Sequence, residues 1–375
     1  MTKKNVIIGV CLGLALIGAI ALAFVLPSHE HSYNNIAPYT IEDNKAYENK
    51  KCSCGDVQKV ELTNYVIVNT ETAQEALDNA ADGITIVLNS GNYGRLYLRK
   101  NATSVNVPST WAGGADATFK RTINGLTIIG TEGTNLTGLK AEAGTYAATE
   151  HSLSATHEYL NMYIEIKNLV IKNIKFTPAE KEVAVNLANA GQKVSIDGLT
   201  IDGCTVDGTN STIDAGNRLF QSEVLSAIEY NSTEGLVMVA NRKNITISNC
   251  VMNNLHQGIK INFVENLTIK SNQFKNIKGR DMLIGGGTGV ISGNILIEAN
   301  TSDGATERFI RMAGLAGNLT VKDNVVTNNN GADKDIVKVT ASGTSEYTFS
   351  GNNWEGKDDA QAFADGVINY PQQSA

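Results

Sequence analysis

The sequence predicts an all-β solenoid, in which the chain winds into successive coils whose strands stack in register. Three observations predict it. A four-residue unit of the Asn-Leu-Thr-Ile type recurs along the chain, and a column of asparagines recurs with it. The 35 glycines against 5 prolines favour many short strands and turns over long helices.

The recurring unit alternates apolar and polar residues, which in a strand sends its apolar positions to one face. Most of the intervals between units are 22 to 30 residues, a repeat length typical of solenoids. The two longer intervals indicate either a doubled coil or an inserted loop. We therefore expect Leu267 and Ile269 to stack on Ile295 and Ile297. The units begin at Gly125, Asn168, Gly198, Asn244, Asn266, Asn294, Asn318 and Glu346.

Two further columns follow each unit. A side-chain amide at an inward turn can bond to the amide on the next coil, since neighbouring strands lie about 4.8 Å apart. The first column thus predicts an internal amide ladder, and the bulkier second column predicts another inner stack. The first is Thr131, Ile174, Cys204, Cys250, Asn272, Asn300, Asn324 and Asn352; the second is Gly133, Phe176, Val206, Met252, Phe274, Ser302, Val326 and Trp354. Cys204 and Cys250 are expected to be stacked free thiols, because in-register side chains lie too far apart for a disulfide.

Short helices are expected at both ends of the solenoid. Thr72-Ala-Gln-Glu75 has the spacing of a capping box and predicts a short helix through Leu77 and Ala80, ended by Asp82-Gly83. A helix at this end would cover exposed strand edges, which otherwise invite further strands to pair. Near the other end, Ala360, Phe363 and Val367 lie at helical spacing and predict a second lid.

The order of these elements resembles a known architecture. A capping helix, Asp82-Gly83, a strand from Ile84 to Leu88, the turn Ser90-Gly-Asn-Tyr-Gly94 and then Leu-Thr-Ile coils look like a single-stranded right-handed parallel β-helix of the pectin-lyase-like superfamily. The resemblance covers about residues 60 to 355. It implies a fold that hosts polysaccharide lyases, glycosidases, esterases and non-catalytic adhesins, so that fold alone does not select an activity.

The N-terminus has the pattern of a membrane anchor or an export signal. Lys3 and Lys4 precede an uncharged apolar run from Val6 to Leu26, long enough for a membrane-spanning helix. This predicts a single-pass protein of the cell membrane with an extracellular body. Cleavage near Ala21-Leu22-Ala23, which would give a secreted protein, is the alternative. The expected organisation is 1–27 anchor or signal, 28–60 juxtamembrane segment, 61–356 β-helix and 357–375 C-terminal cap and tail.

The juxtamembrane segment gathers metal-binding side chains. His29, His31, Cys52 and Cys54 could supply a tetrahedral zinc site, although single-residue gaps are unusual in such sites. A flexible stalk with free or intermolecularly bonded thiols is the alternative. The segment also resembles His-x-His and Cys-x-Cys-Gly units of bacterial surface proteins. Whether the β-helix binds calcium is not indicated by the sequence.

Composition and motifs exclude several classes of function. With 31 Lys and Arg against 38 Asp and Glu, the formal charge is −7, which argues against a nucleic-acid binder. The Arg-x-Pro-x-x-Arg segment of pectate lyases is absent from the sequence, and the catalytic motifs of galacturonan hydrolases are not matched. The resemblance therefore implies a fold but identifies no catalytic residues.

One outward strand face is the candidate site. Alternation in the strand before each unit directs Met238, Lys260, Leu283, Arg311 and Lys338 outward, with Asp281 and Phe309 one step earlier on the same expected face. Three cations on one face suit an anionic chain. If the protein is a lyase, His256, Lys260 or Arg311 is the candidate base. The candidate substrate contacts are Asp281, Phe309, Lys338 and Trp111, whose indole would stack on a sugar or be buried.

Two functions remain open from the sequence. In the first, a cell-surface β-helix binds polysaccharide, or is displayed against it, without catalysis. In the second, a polysaccharide lyase or another carbohydrate-active enzyme acts on an anionic glycan in a groove along the β-helix.

Overall fold

The computed structural model describes most of the chain. Its described residues are 33–35, 39–52, 54–98, 117–141, 144–147, 159–178, 183–187, 194–208, 218–222, 229–231, 237–239, 242–261, 263–285, 291–305, 307–329, 335–341 and 345–371. The predicted membrane helix, together with His29, His31 and Trp111, lies outside these residues. Within them, no helix has the length and apolar character needed to cross a membrane.

Two compact units make up the chain. The first consists of Met1–Ala37 and Glu48–Val60, and the second of Pro38–Tyr47 and Glu61–Ala375. In the first unit, Tyr33 lies opposite Cys52 in an antiparallel pair of strands.

The described residues form many short strands. In the N-terminal third these are β1 (Tyr33–Asn35), β2 (Thr40–Glu42), β3 (Lys45–Cys52), β4 (Val57–Glu61), β5 (Tyr65–Val68), β6 (Thr85–Leu88), β7 (Gly91–Leu98), β8 (Ala117–Asn124), β9 (Thr127–Gly130), β10 (Thr134–Ala141) and β11 (Gly144–Ala147). The next are β12 (Tyr159–Lys172), β13 (Lys175–Phe176), β14 (Val183–Asn186), β15 (Val194–Asp202), β16 (Thr205–Asp207), β17 (Arg218–Ser222), β18 (Glu229–Asn231), β19 (Val237–Val239), β20 (Arg242–Ser248), β21 (Val251–Asn253) and β22 (Ile259–Ile261). The last are β23 (Val264–Lys270), β24 (Gln273–Lys275), β25 (Arg280–Gly285), β26 (Ile291–Glu298), β27 (Thr301–Asp303), β28 (Arg308–Lys322), β29 (Val325–Thr327), β30 (Val337–Ala341), β31 (Glu346–Ser350), β32 (Asn353–Trp354) and β33 (Ile368–Asn369).

Three parallel ladders organise the second unit. The first ladder carries the Leu-Thr-Ile units and runs through β5, β6, β9, β12, β15, β20, β23, β26, β28 and β31. The second ladder runs through β7, β10, β13, β16, β21, β24, β27, β29 and β32. The third runs through β10, β14, β17, β22, β25, β28, β30 and β33. Each coil thus contributes strands to three sides, which confirms the predicted parallel β-helix.

The two long sequence intervals are insertions and not doubled coils. Across the first interval β9 pairs directly with β12, and β11 folds back antiparallel onto the start of β12. Across the second interval β15 pairs directly with β20, while β18 and β19 form a separate antiparallel hairpin. The predicted placement of Val237–Val239 in the stack is therefore wrong, and β17 occupies that position.

The coil interior is built from the predicted columns. Leu267 stacks on Ile295 and Ile269 on Ile297, and all four are buried. The second column is also buried from Phe176 onward, but at its first position Leu136, and not Gly133, lies opposite Phe176. Ile128 and Leu136 are eight residues apart, whereas their partners Ile171 and Phe176 are five apart, so the turn in the early coil is three residues longer.

The asparagine column forms the predicted internal amide ladder. Asn272 donates through Nδ2 to Asn300 Oδ1 at 3.0 Å, and Asn300 donates to Asn324 Oδ1 at 2.9 Å. Asn324 continues to Asn352 Oδ1 at 2.9 Å. Cys204 and Cys250 precede Asn272 in the same column and are buried free thiols, as predicted.

Two short helices accompany the coils. Helix α1 (Ala73–Asp78) buries Ala73 and Leu77 in the core, but the predicted capping box is wrong, since Thr72 makes no side-chain cap bond. The Asn69 side chain instead accepts from the backbone N–H of Glu71 and Thr72.

Helix α2 (Asp359–Ala364) follows the last coil and buries Ala362. Asp359 accepts hydrogen bonds from Asn352 Nδ2 and Trp354 Nε1, both at 2.9 Å. The carboxylate of Asp359 therefore ends the amide ladder with an acceptor.

Candidate functional site

A column of in-register positions runs along the third ladder. Pairing places one residue per coil in register, in the order Gln221, Lys260, Leu283, Arg311, Lys338 and Asn369. We call these residues the cationic column. The register predicted for Lys260, Leu283, Arg311 and Lys338 is confirmed, whereas Gln221 occupies the position predicted for Met238.

Alternation along each strand turns the column outward. The residues on either side of Arg311, Ile310 and Met312, are buried in the core, and Arg311 itself is half-buried. The same pattern surrounds Lys260 and Lys338. Inward packing of the branched and thioether side chains thus holds the cations on the outer face.

The predicted outward orientation of Asp281 and Phe309 is wrong. Both side chains are 0% exposed. Each stands at a corner where the chain enters a strand, so two successive residues, such as Phe309 and Ile310, both face the interior. The Phe309 ring packs edge-on against Phe274 and Trp354, with ring centroids 6.2 and 6.0 Å apart. In this arrangement neither Asp281 nor Phe309 can contact a substrate on the outer face.

Two further arginines lie beside the column and were missed by the sequence reasoning. Arg280 and Arg308 are paired in register at the start of their strands. Arg280 Nη2 lies 2.6 Å from Glu307 Oε2, and Arg308 donates through Nε and Nη2 to Asp335 Oδ1 at 3.1 and 2.8 Å. Each partner lies 27 residues further along the chain, on the next coil. This shared interval, close to the coil repeat, is the signal that could have found the two pairs.

Arg311 stands apart from these ion pairs. Burial lowers the pKa of its guanidinium, and the positive charges of Arg308 and Arg280 lower it further, while Asp335 acts in the opposite direction. Its Nη1 is buried and has no hydrogen-bond partner among the described residues. Because an arginine keeps its proton in proteins, Arg311 is suited to binding an anion and unsuited to the role of a base.

The remaining candidates occupy different positions. Lys338 Nζ lies 3.6 Å from Asp335 Oδ2, so a carboxylate partly offsets its charge. Lys260 lies two coils from Arg311 on the same column. His256 stands before β22, where its carbonyl oxygen accepts from the Gly279 N–H at 2.8 Å.

The Cys-x-Cys pair lies in the first unit. Cys52 is buried, Cys54 is exposed, and the Cys54 N–H points to Cys52 Sγ at 3.5 Å. A side-chain hydrogen bond with Cys52 raises the pKa of the Cys54 thiol. Among the described residues no group of three or more metal-binding side chains is assembled. Since both histidines lie outside those residues, zinc binding stays a prediction.

Comparisons with known proteins agree on the architecture. Residues 183–354 match the family described as a right handed beta helix region. Together with the parallel ladders, this match confirms the right-handed parallel β-helix. No curated protein sequence matches the chain.

One solved structure that matches the chain has a low structural similarity score. It is the Yersinia enterocolitica family 28 exopolygalacturonase, with 11% sequence identity over 83% of this chain and 81% of that one. The TM-score is 0.23, which is too low for this likeness to support a statement about activity.

Proposed function

We propose that this right-handed parallel β-helix binds an anionic polysaccharide along the cationic column. The observation that carries the proposal is the position of Arg311, an outward guanidinium in register with Lys260 and Lys338 and flanked by Arg280 and Arg308. Charges of one sign on adjacent coils raise the local concentration of a polyanion, and a guanidinium fork matches a carboxylate.

Among the described residues beside the cationic column, cations outnumber carboxylates. Glu307 pairs with Arg280, and Asp335 is shared between Arg308 and Lys338. An incoming carboxylate or sulfate would find Arg311 beside two other arginines and would satisfy its buried Nη1. A hydrogen bond to a charged group contributes about 1.5–3 kcal/mol.

Mutation of Arg311 tests the proposal. Binding of the full chain to immobilised polygalacturonate and hyaluronan is measured at low and physiological salt. Arg311→Ala is expected to weaken binding at least tenfold, which corresponds to about 1.4 kcal/mol. Lys275→Ala, at an exposed lysine of the second ladder, is the control and should leave affinity unchanged.

Two results would contradict the proposal: equal affinity of the Arg311→Ala and Lys275→Ala variants, or wild-type binding that does not weaken with salt. The same incubations report on catalysis through the absorbance of unsaturated products. Product formation that is lost on Lys260→Ala or His256→Ala would favour the lyase alternative, in which a base removes the ring proton next to the bound carboxylate.

The proposed location is the outer face of the cell membrane. It is supported by Lys3 and Lys4 followed by the apolar run from Val6 to Leu26. Binding of a surface polysaccharide is consistent with that location. Membrane fractionation and protease accessibility of intact cells would test it, since a secreted, processed form would appear in the medium.

A further inference from the structure

The cationic column is interrupted by one apolar residue. Leu283 stands in register between Lys260 and Arg311, one coil from each, and it is half-buried. From this juxtaposition we propose that the column recognises a polysaccharide in which charged and neutral sugars alternate, and not a uniformly charged uronan. This inference rests on the proposed function, which it makes specific.

The spacing of the column matches such a polymer. Neighbouring strands lie about 4.8 Å apart, so Lys260 and Arg311 are separated by about two such steps. A pyranose sugar in an extended chain advances by a distance similar to one strand separation. A polymer lying along the column would therefore present successive sugars to successive coils, and every second sugar to a cation.

The position of Leu283 disfavours a charge. A carboxylate placed against this half-buried side chain would lose water without gaining a partner, which is costly. The C–H face of a neutral sugar, or the methyl group of an N-acetyl substituent, would instead bury apolar surface against it. Leu283 thus selects for a neutral sugar between two charged ones.

The coil after Arg311 is consistent with this pattern. Lys338 has the Asp335 carboxylate 3.6 Å away, which reduces its attraction for a further anion. Arg311 has a buried Nη1 without a hydrogen-bond partner in the described part of the chain. Arg311 is therefore expected to attract an anion most strongly, and Lys338 on the next coil is expected to attract one more weakly.

Competition between two polymers of matched length tests the inference. Hyaluronan alternates glucuronate with N-acetylglucosamine, whereas polygalacturonate carries a carboxylate on every sugar. Wild-type full chain is expected to bind hyaluronan at least fivefold more tightly. Charge density alone would give the opposite order, so this preference would not arise from unspecific attraction.

Two substitutions of Leu283 test whether this residue causes the preference for hyaluronan over polygalacturonate. Leu283→Lys supplies a cation at the neutral position and is expected to reverse the order of the two polymers. Leu283→Ala should weaken hyaluronan binding without improving polygalacturonate binding. Leu296→Lys is the matched control, because Leu296 is a half-buried outward leucine of the first ladder and should leave the order unchanged. Unchanged circular dichroism and melting temperature establish that each variant is folded.

The outcomes separate the two proposals. Wild-type binding that is tighter for polygalacturonate, or an unchanged ratio in Leu283→Lys, would overturn the alternating pattern while leaving anionic glycan binding intact. Binding to neither polymer would overturn the proposed function, and this inference with it.

Discussion

At the scale of single residues, Asp281 shows how a core position can make stability depend on pH. Its carboxyl group is fully buried, and Oδ2 accepts a hydrogen bond from the Ser302 hydroxyl. Burial raises its pKa to about 8, although the Ser302 hydrogen bond opposes the shift. Between its ordinary pKa and this raised one, the folded protein retains a proton that the unfolded chain has lost.

This proton predicts that stability falls as pH rises. The contribution is complete below the unfolded pKa of 3.8 and is lost as pH approaches about 8. The expected slope is up to about 1.4 kcal/mol per pH unit. Asp281→Asn keeps an acceptor for Ser302 without a charge, so it should flatten the dependence and be more stable than wild type at pH 9.

Denaturant midpoints at pH 5, 7 and 9 measure this effect. Asp43→Asn, at an exposed position, is the control and should follow the wild type. Parallel curves for wild type and Asp281→Asn would show that the buried carboxyl does not hold its proton.

Asp281 also shows where strand alternation fails to predict the direction of a side chain. The rule of alternate faces placed it outward, yet it lies in a corner where successive residues turn inward together. The same rule succeeded for Lys260 and Arg311, which lie inside a regular strand. Alternation therefore predicts side-chain direction within strands and not at the bends between them.

At the scale of structural elements, the amide ladder is the feature that the sequence predicted most fully. Asn300 Oδ1 accepts from the backbone N–H and Nδ2 of Asn272, and Asn300 Nδ2 donates to Ile269 O and to Asn324 Oδ1. The hydrogen bonds of this one buried side chain thus connect three coils.

Removal of this side chain is expected to be costly. Asn300→Ala leaves several buried polar groups without partners, at about 1–3 kcal/mol each, so a loss of about 3 kcal/mol or more in unfolding free energy is expected. Asn294→Ala is the matched control, because Asn294 lies on the same coil in an exposed column and accepts one bond, from Asn318 Nδ2 at 3.2 Å. Equal costs for the two variants in urea unfolding would refute the special role of the internal ladder.

The ion pairs beside the cationic column belong to the same scale and were not predicted. Glu307 and Asp335 reach Arg280 and Arg308 from neighbouring turns. Both pairs span 27 residues, an interval close to the coil repeat. Likewise, Val237–Val239 and Arg218–Ser222 both form strands, and only the three-dimensional pairing shows which one enters the third ladder.

At the scale of the whole molecule, each coil of the second unit buries its interior side chains against the neighbouring coils. Leu267 is 1% exposed and packs between the coils of Ile245 and Ile295. A charge at this position would face three coils at once without a partner. The solenoid should therefore lose stability across several coils when one interior column is disrupted.

Leu267→Asp tests this expectation. We expect a loss of several kcal/mol, or failure to fold, by thermal unfolding and circular dichroism. Thr268→Asp is the control, since Thr268 faces outward on the same strand and its charge would remain partly hydrated. A Leu267→Asp variant as heat-resistant as Thr268→Asp would show that the inside and outside of the coil are assigned wrongly.

The sequence by itself determined that the chain winds into parallel coils, which residues line its interior columns and which cations share one outer face. Those properties follow from periodicity, because every coil repeats the same local pattern of apolar, polar and amide positions. Only the tertiary structure decided that Asp281 and Phe309 face inward, that β17 replaces β19 in the stack, and that Arg311 lies within electrostatic reach of two ion-paired arginines. These features depend on corner geometry and on the lengths of the connecting turns, which differ from coil to coil.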